Sequence, residues 1–192
     1  MDTHSVITGV VVAGDKVLAG ISGGPSRRYG ILQSIDGGQT WQPAGLYQVT
    51  VLSVIRDPAV PETLYAATVG DGLFKSENGG KSWIEINNGV GPDATCETLA
   101  IDPQDSRVLY AGCRSYAAPH GRLLKTTTGG SRWISSDNGV PSGQEISRLV
   151  IDHFDPRVVY AGTTAIDYRE RGYVLRSSDS GTSWERYDNG LP

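Results

Sequence analysis

The sequence has little of what a helical bundle is made from. One methionine and two phenylalanines stand against 25 glycines and 10 prolines, and long helices favour Ala, Leu, Glu and Lys while avoiding Gly. No apolar run approaches the ~18 residues of a membrane-spanning helix, so no membrane partner is expected. Residues 6–14 are the nearest thing to a signal-peptide core. They lack a basic leader, follow Asp2 and run into Asp15, and read as a first strand, which leaves export open. Charge of either sign is modest: 17 basic and 21 acidic side chains give a net charge of −4. Without a clustered basic face there is no case for a nucleic-acid partner. Two cysteines are too few for a disulfide scaffold. His4, His120 and His153 share no metal-ligand spacing, so neither a metal nor a cofactor is expected.

What the sequence does have is repetition. Four tryptophans, Trp41, Trp83, Trp133 and Trp184, recur at intervals of ~40–50 residues. Each is preceded by a related turn: Ser34-Ile35-Asp36-Gly37-Gly38-Gln39-Thr40, Ser76-Glu77-Asn78-Gly79-Gly80-Lys81-Ser82, Thr126-Thr127-Thr128-Gly129-Gly130-Ser131-Arg132 and Ser177-Ser178-Asp179-Ser180-Gly181-Thr182-Ser183. Upstream stands a second word, Leu64-Tyr65-Ala66, Leu109-Tyr110-Ala111 and Val159-Tyr160-Ala161, with Val17-Leu18-Ala19 in the first unit. A third word ends in Asp57, Asp102 or Asp152. Each unit reads as four short strands, a to d, rich in β-branched and aromatic residues and separated by Gly, Pro, Asn or Asp. Strand a covers roughly 8–12, 51–56, 97–101 and 147–151. Strand b is the Leu-Tyr-Ala word, c runs into the turn, and d starts at the Trp. Strands a and b are apolar nearly throughout and read as buried on both faces, with c and d outside. Four-stranded antiparallel sheets repeated at this period are the signature of a β-propeller. The predicted fold is all-β, with four four-stranded blades at approximately 5–46, 47–94, 95–144 and 145–192.

The Ser-x-Asp-x-Gly-x-Thr-Trp word resembles the Asp-box, or bacterial neuraminidase repeat. It is complete at Ser34, Asp36, Gly38 and Trp41. It is close at Ser76, Asn78, Gly80 and Trp83 and at Ser177, Asp179, Gly181 and Trp184. At Gly130 and Trp133 it is degraded, with Thr128 and Arg132 in place of the Asp and Thr. With its companion words the chain looks most like the propellers of oligoxyloglucan-type xyloglucanases. Sortilin-type receptors and photosystem II assembly factors carry similar repeats. The resemblance covers essentially the whole chain and implies fold; these families do unrelated things, so it implies no single function. The turn makes structural sense on its own terms. Gly37 and Gly38 permit positive φ, and the Asp36 carboxylate is placed to accept hydrogen bonds from turn N–H groups and from the Ser34 or Thr40 hydroxyl. Too few oxygen ligands cluster there for calcium. Thr128 replaces the carboxylate poorly, so the third turn is expected to be the loosest.

Strand alternation puts the b–c and d–a connections at one end of every blade and the turns at the other. In the sialidase-like families the active site lies opposite the turns, so the resemblance directs attention to the b–c and d–a loops. Unit two has a bare b–c turn at 69–72. The other three carry longer insertions, each with arginine and tyrosine: Arg27, Arg28 and Tyr29; Arg114, Tyr116 and His120; Tyr168, Arg169 and Arg171. Arg presents planar donors and Tyr a flat face with a polar tip, a combination suited to a glycan or an anion. Exposed loops also collect polar residues without any site. The expected function is therefore a non-enzymatic binding or scaffold module. The alternative is a glycoside-hydrolase-like protein, or a fragment of one, which needs two carboxyl groups across a cleft. The acids that repeat are turn formers. Asp93, Glu145 and Asp167 do not repeat and are the candidates for such a pair. The sialidase word Phe-Arg-Ile-Pro is absent.

Cys96 and Cys113 flank one predicted hairpin. Two buried thiols is the default for such residues, and their pairing stays open. The number of blades raises a closure question, because Asp-box propellers usually have six to eight. Three assemblies fit: a closed four-blade ring, two chains joined head to tail, or part of a longer propeller. Unclosed, the outer faces of units one and four expose apolar surface, which favours self-association or further blades.

Overall fold

A computed structural model describes residues 6–22, 30–115, 118–166 and 171–191, with 118–121 as backbone alone. It contains four antiparallel sheets, each with its strands in chain order. Blade one holds β1 (Val6–Ala13), β2 (Lys16–Ser22), β3 (Ile31–Ser34) and β4 (Gln42–Pro43). Blade two holds β5 (Val51–Arg56), β6 (Leu64–Thr68), β7 (Leu73–Ser76) and β8 (Ile84–Glu85). Blade three holds β9 (Thr95–Ile101), β10 (Leu109–Ser115), β11 (Ala118–Thr126) and β12 (Ile134–Ser135). Blade four holds β13 (Gln144–Ile151), β14 (Val159–Ala165), β15 (Val174–Ser177) and β16 (Glu185–Arg186). The outermost strands are shorter than the sequence suggests and begin one residue after the Trp, because only two residues pair with the third strand before the chain turns away. In blade three, residues read as a loop instead prolong the hairpin: Ser115 pairs with Ala118 beyond a bulge.

The core lies between blades. A four-stranded sheet has two faces and cannot bury both by itself. Three apolar clusters result, one per junction. Leu18, Ile31, Val51 and Leu64 join blades one and two. Tyr65, Leu73, Leu99 and Trp133 join two and three. Tyr110, Leu123, Ile146 and Trp184 join three and four. The inner strands pack in succession, β1 on β5, β5 on β9 and β9 on β13. No contact of similar extent joins blade four to blade one among the described residues. The array is an open arc. β1 is accordingly exposed along most of its length, against the expectation that every first strand is covered on both faces.

Each turn between the third and fourth strands is a closed hydrogen-bond circuit. The Ser34 hydroxyl donates to Asp36 (2.7 Å) and accepts from the Gly38 N–H (2.8 Å). Asp36 also accepts from the Thr40 N–H and hydroxyl at 2.9 and 2.6 Å. Ser177, Asp179, Gly181 and Ser183 repeat the pattern, and Ser76, Asn78, Gly80 and Ser82 reproduce it with an amide. The Thr40 bonds, then the Ser34 hydroxyl, hold the Asp36 carboxyl well below the usual carboxylate range; Asp179 is held at about 2, first by Ser183. In the third turn Thr126 and Thr128 supply hydroxyls only, and the bonds between the two side chains, from the Gly130 N–H and from the Arg132 N–H lengthen to 3.1–3.2 Å. Ser180 carries a positive φ of 57° where the other turns have Gly; its carbonyl is held by the Tyr110 hydroxyl and the Lys125 ammonium of blade three, both at 2.7 Å. The repeated Asp57, Asp102 and Asp152 accept pairs of backbone N–H bonds in the turns after the first strand, and Asp57 also accepts from the Ser106 hydroxyl of blade three.

The tryptophans fasten these turns to the blade before. The Trp83, Trp133 and Trp184 indoles donate to the carbonyls of Ala44, Ile86 and Ser136 at 3.3, 2.9 and 2.6 Å. Cys96 and Cys113 are buried opposite each other across β9 and β10 and are bonded as a disulfide, which replaces the expectation of two thiols. Such a bond persists in oxidising surroundings.

Gly89 tests the junctions. A Cβ there would sit 2.1 Å from the Trp133 carbonyl oxygen at a φ of +92°, whereas at Gly14, φ +64°, it would meet nothing within 4 Å. Both alanine variants lose about 1–3 kcal/mol from backbone strain. Gly89→Ala should lose clearly more, measured as the denaturation midpoint; equal losses would mean that the junction yields freely.

Candidate functional site

Every first strand carries one bulge against its partner. The register skips Thr8, Leu52, Glu97 and Ser147, at matching positions of β1, β5, β9 and β13. A bulge re-aims the side chain it frees. Thr8, Leu52 and Glu97 line an axial groove of about 380 Å³ together with Val6, Ile7 and Arg148, so residues of all four blades meet there. A neighbouring cleft of about 330 Å³ is lined by Val69 and Asp93 from blade two and its exit, Thr95, Arg114 and Ser115 from blade three, and Glu145 and Ile166 from blade four.

Arg114 ties the two together. Its Nε lies 3.4 Å from Glu145 and 3.7 Å from Glu97. Burial first, and the Glu145 charge second, push the Glu97 carboxyl above its ordinary value; Arg114 and Arg148 oppose the rise. Asp93 sits at the cleft edge with a positive φ of 50°. Its carboxylate has no hydrogen-bond or ion-pair partner among the described residues, which leaves both oxygens available to a ligand. Three carboxylates, Asp93, Glu97 and Glu145, outnumber the two guanidiniums of Arg114 and Arg148. Hydroxyls of Thr95 and Ser115 and the apolar Val69 and Ile166 complete a mixed surface.

Of the residues singled out from sequence, Asp93, Arg114 and Glu145 come together in this cleft. Arg171 does not. Its guanidinium lies 3.7 Å from Asp188 and donates to the Leu191 carbonyl at 3.3 Å, at the outer end of blade four. Arg27, Arg28, Tyr29, Tyr116, Asp167, Tyr168 and Arg169 lie outside the described residues, and His120 is described only as strand backbone. Glu97 and Arg148 were missed because both sit inside a predicted strand. The available signal was departure from the repeat: Glu97 occupies a position that is Thr8, Leu52 or Ser147 in the other blades.

No protein-family model matches the chain, and no curated protein matches it in sequence. Solved structures do. A GH74 xyloglucanase from Xanthomonas campestris superposes with a TM-score of 0.71 at 20% identity, covering 91% of this chain and 28% of that one. An ancestral GH74 enzyme gives 0.77 at 19% identity, with 96% of this chain and 24% of that one. A nidogen/laminin complex gives 0.66 at 13% identity, with 95% and 64%. The shared feature is the propeller fold, and the chain spans about a quarter of the length of the GH74 enzymes. The four-bladed arc is thus a partial propeller by comparison with them.

Burial makes Glu97 sensitive to pH, and Arg114 moderates it. The folded Glu97 value lies above the ordinary one, so its contribution to stability is present below the unfolded value and is lost as pH rises through the folded value. Arg114→Ala removes an opposing charge and raises the folded value further. Arg114 is about half exposed, so solvent screening limits the loss to about 1 kcal/mol at neutral pH. The deficit should shrink towards pH 4 in thermal unfolding followed across pH; a deficit independent of pH would remove Glu97 from the account.

Proposed function

We propose that the chain is a non-enzymatic Asp-box propeller module that binds a glycan in the cleft around Arg114, with its arc completed by further blades. The observation that carries this reading is the composition of the cleft. Carboxylates and hydroxyls that accept and donate hydrogen bonds stand beside apolar side chains, which suits a neutral polyhydroxylated ligand. An anionic partner, equally expected from the loop arginines, fits the described residues less well because acids outnumber bases there.

Binding is favoured over hydrolysis by the position of the acids. Glu97 and Glu145 both lie within 3.7 Å of one Arg114 nitrogen. A glycosidase of the usual kind needs two carboxyl groups free to act on a sugar bond, and the shared contact with Arg114 engages both of these glutamates. The second reading, a glycoside-hydrolase-like fragment, draws on Asp93 and Glu145 sharing the cleft, with the raised Glu97 in the neighbouring groove.

A glycan array followed by calorimetric titration tests the proposal. Binding without turnover is expected, and Arg114→Ala should weaken it about tenfold, near 1.4 kcal/mol. Turnover on a chromogenic glycosidase panel, lost in Asp93→Asn or Glu145→Gln, would decide for the hydrolase. A blank array would sink the glycan reading.

A further inference from the structure

One kind of joint recurs between the blades, and among the described residues blade one and blade four each present one half of it unpaired. Between blades two and three, and again between three and four, the trailing edge of the earlier blade offers three groups. The carbonyl of Ile86 or Ser136 accepts the next indole N–H. The carbonyl of Asn88 or Asn138 accepts the backbone N–H of Trp133 or Trp184, at 2.8 and 2.9 Å. The side-chain amide of the same Asn donates to Ser131 or Thr182, two residues before the Trp. Gly89 and Gly139 then lie so close to the Trp carbonyl that no side chain fits.

Blade four ends in Tyr187-Asp188-Asn189-Gly190, in register with Ile86-Asn87-Asn88-Gly89 and Ser136-Asp137-Asn138-Gly139. Gly190 keeps the same backbone turn, φ 88° beside 92° and 91°, with nothing within 4 Å of where a Cβ would sit. Blade one supplies the complement: the Trp41 indole and backbone N–H and the Gln39 carbonyl. The Trp41 indole reaches only its own Gly38 carbonyl, a bond that Trp83 makes to Gly80 while also reaching Ala44. Apolar exposure follows the same division. Trp41 is 41% exposed and Val10 60%, whereas Trp133 and Trp184, and Val54, Leu99 and Leu149, are buried. Tyr187 is 59% exposed where Ala44, Ile86 and Ser136 are buried, and Val150 is 61% exposed where Ala100 is buried. Gly130 and Gly181 are covered by Ile86 and Ser136, and Gly38 has only Trp41 near it.

We infer that the leading edge of blade one docks on the trailing edge of blade four of a second copy of this chain, head to tail, through this same joint. The inference rests on the reading that the arc is completed by further blades. Asn189 hooks the Trp41 backbone and Gln39, Tyr187 covers Gly38 and accepts the Trp41 indole, and Val150 faces Val10. A head-to-tail contact closes when the rotations sum to a ring; two arcs give a ring of eight blades, at the top of the usual range.

Sedimentation velocity over a concentration series tests this. The wild-type chain should sediment at twice its 20.5 kDa mass. Trp41→Arg, which spoils only a leading edge, and Tyr187→Asp, which spoils only a trailing edge, should each be monomeric, with wild-type circular dichroism. Mixed, they should form a dimer, since the mixture contains one sound edge of each kind. A wild-type dimer that survives either variant, or a mixture that stays monomeric, overturns the inference. A wild-type monomer also overturns it, and acrylamide quenching, compared with Trp41→Phe, then separates two causes. A quenchable Trp41 leaves the open arc standing, with blades from elsewhere as its occupant. A shielded Trp41 means that the arc closes on itself, which removes the underlying reading too.

Discussion

The structure depends on one contact, the tryptophan of blades two, three and four laid against the blade before it. A sheet of two- to nine-residue strands has almost no interior of its own. Its apolar side chains become buried only when another sheet covers them, so the three clusters coincide with the three junctions. The indole is suited to this position because it combines a large apolar surface with a single donor. The carbonyl that receives the donor fixes how far one blade is turned relative to the next. The Ser-Asp-Gly circuit is then best understood as a mount for the indole. It ties four or five residues of turn to one another, so that the Trp leaves the turn in the same direction each time.

The candidate site inherits its geometry from that stacking. No single blade contains it. Asp93, Arg114 and Glu145 come from the exits and entries of three successive blades and meet because the inner strands converge. The bulge common to all four first strands turns Thr8, Leu52 and Glu97 towards the axis. A carboxylate placed there loses water, which is why burial is the leading cause of the Glu97 shift, and Arg114 limits the cost. The turn acids experience the opposite. Asp36 and Asp179 stay in solvent and are surrounded by donors, so their values fall. One fold thus separates two populations of carboxylates by end: structural acids held ionised among turn hydrogen bonds, and axial acids crowded together with arginine between them.

Repetition made the scaffold legible from sequence. The tryptophans, the Leu-Tyr-Ala words and the Gly pairs recur because every blade solves the same packing problem, and the recurrence gave strand order and blade number directly. Bulges have no residue signature, so the re-aimed Glu97 was hidden inside a strand. The insertion at 114–120 was read as a loop because Pro119 and polar residues interrupt it, whereas pairing across a bulge extends the hairpin through it. The disulfide was foreshadowed only by the facing positions of Cys96 and Cys113; residue type alone favours buried thiols. Exposure of β1 could not be read from its own residues, since Val10 is as apolar as Val54 and differs only in having no blade in front of it.

That last point separates the two kinds of information in a repeat protein. Where the blades agree, the residue is answering a requirement of stacking, and its role is the same four times over. Where one blade departs at a matched position, stacking gives no reason for the difference. At the bulge no two blades agree, and Glu97 is the one ionisable residue beside Thr8, Leu52 and Ser147; Arg114 likewise stands at the end of β10, where blade two has the bare turn after Thr68. Arg114 lies 3.7 Å from Glu97 and 3.4 Å from Glu145 on the next blade. Independent loss of a repeat pattern would scatter such residues over the surface. Their convergence on one end of one axis, away from the turns that hold the blades together, is what supports the proposal of a site there.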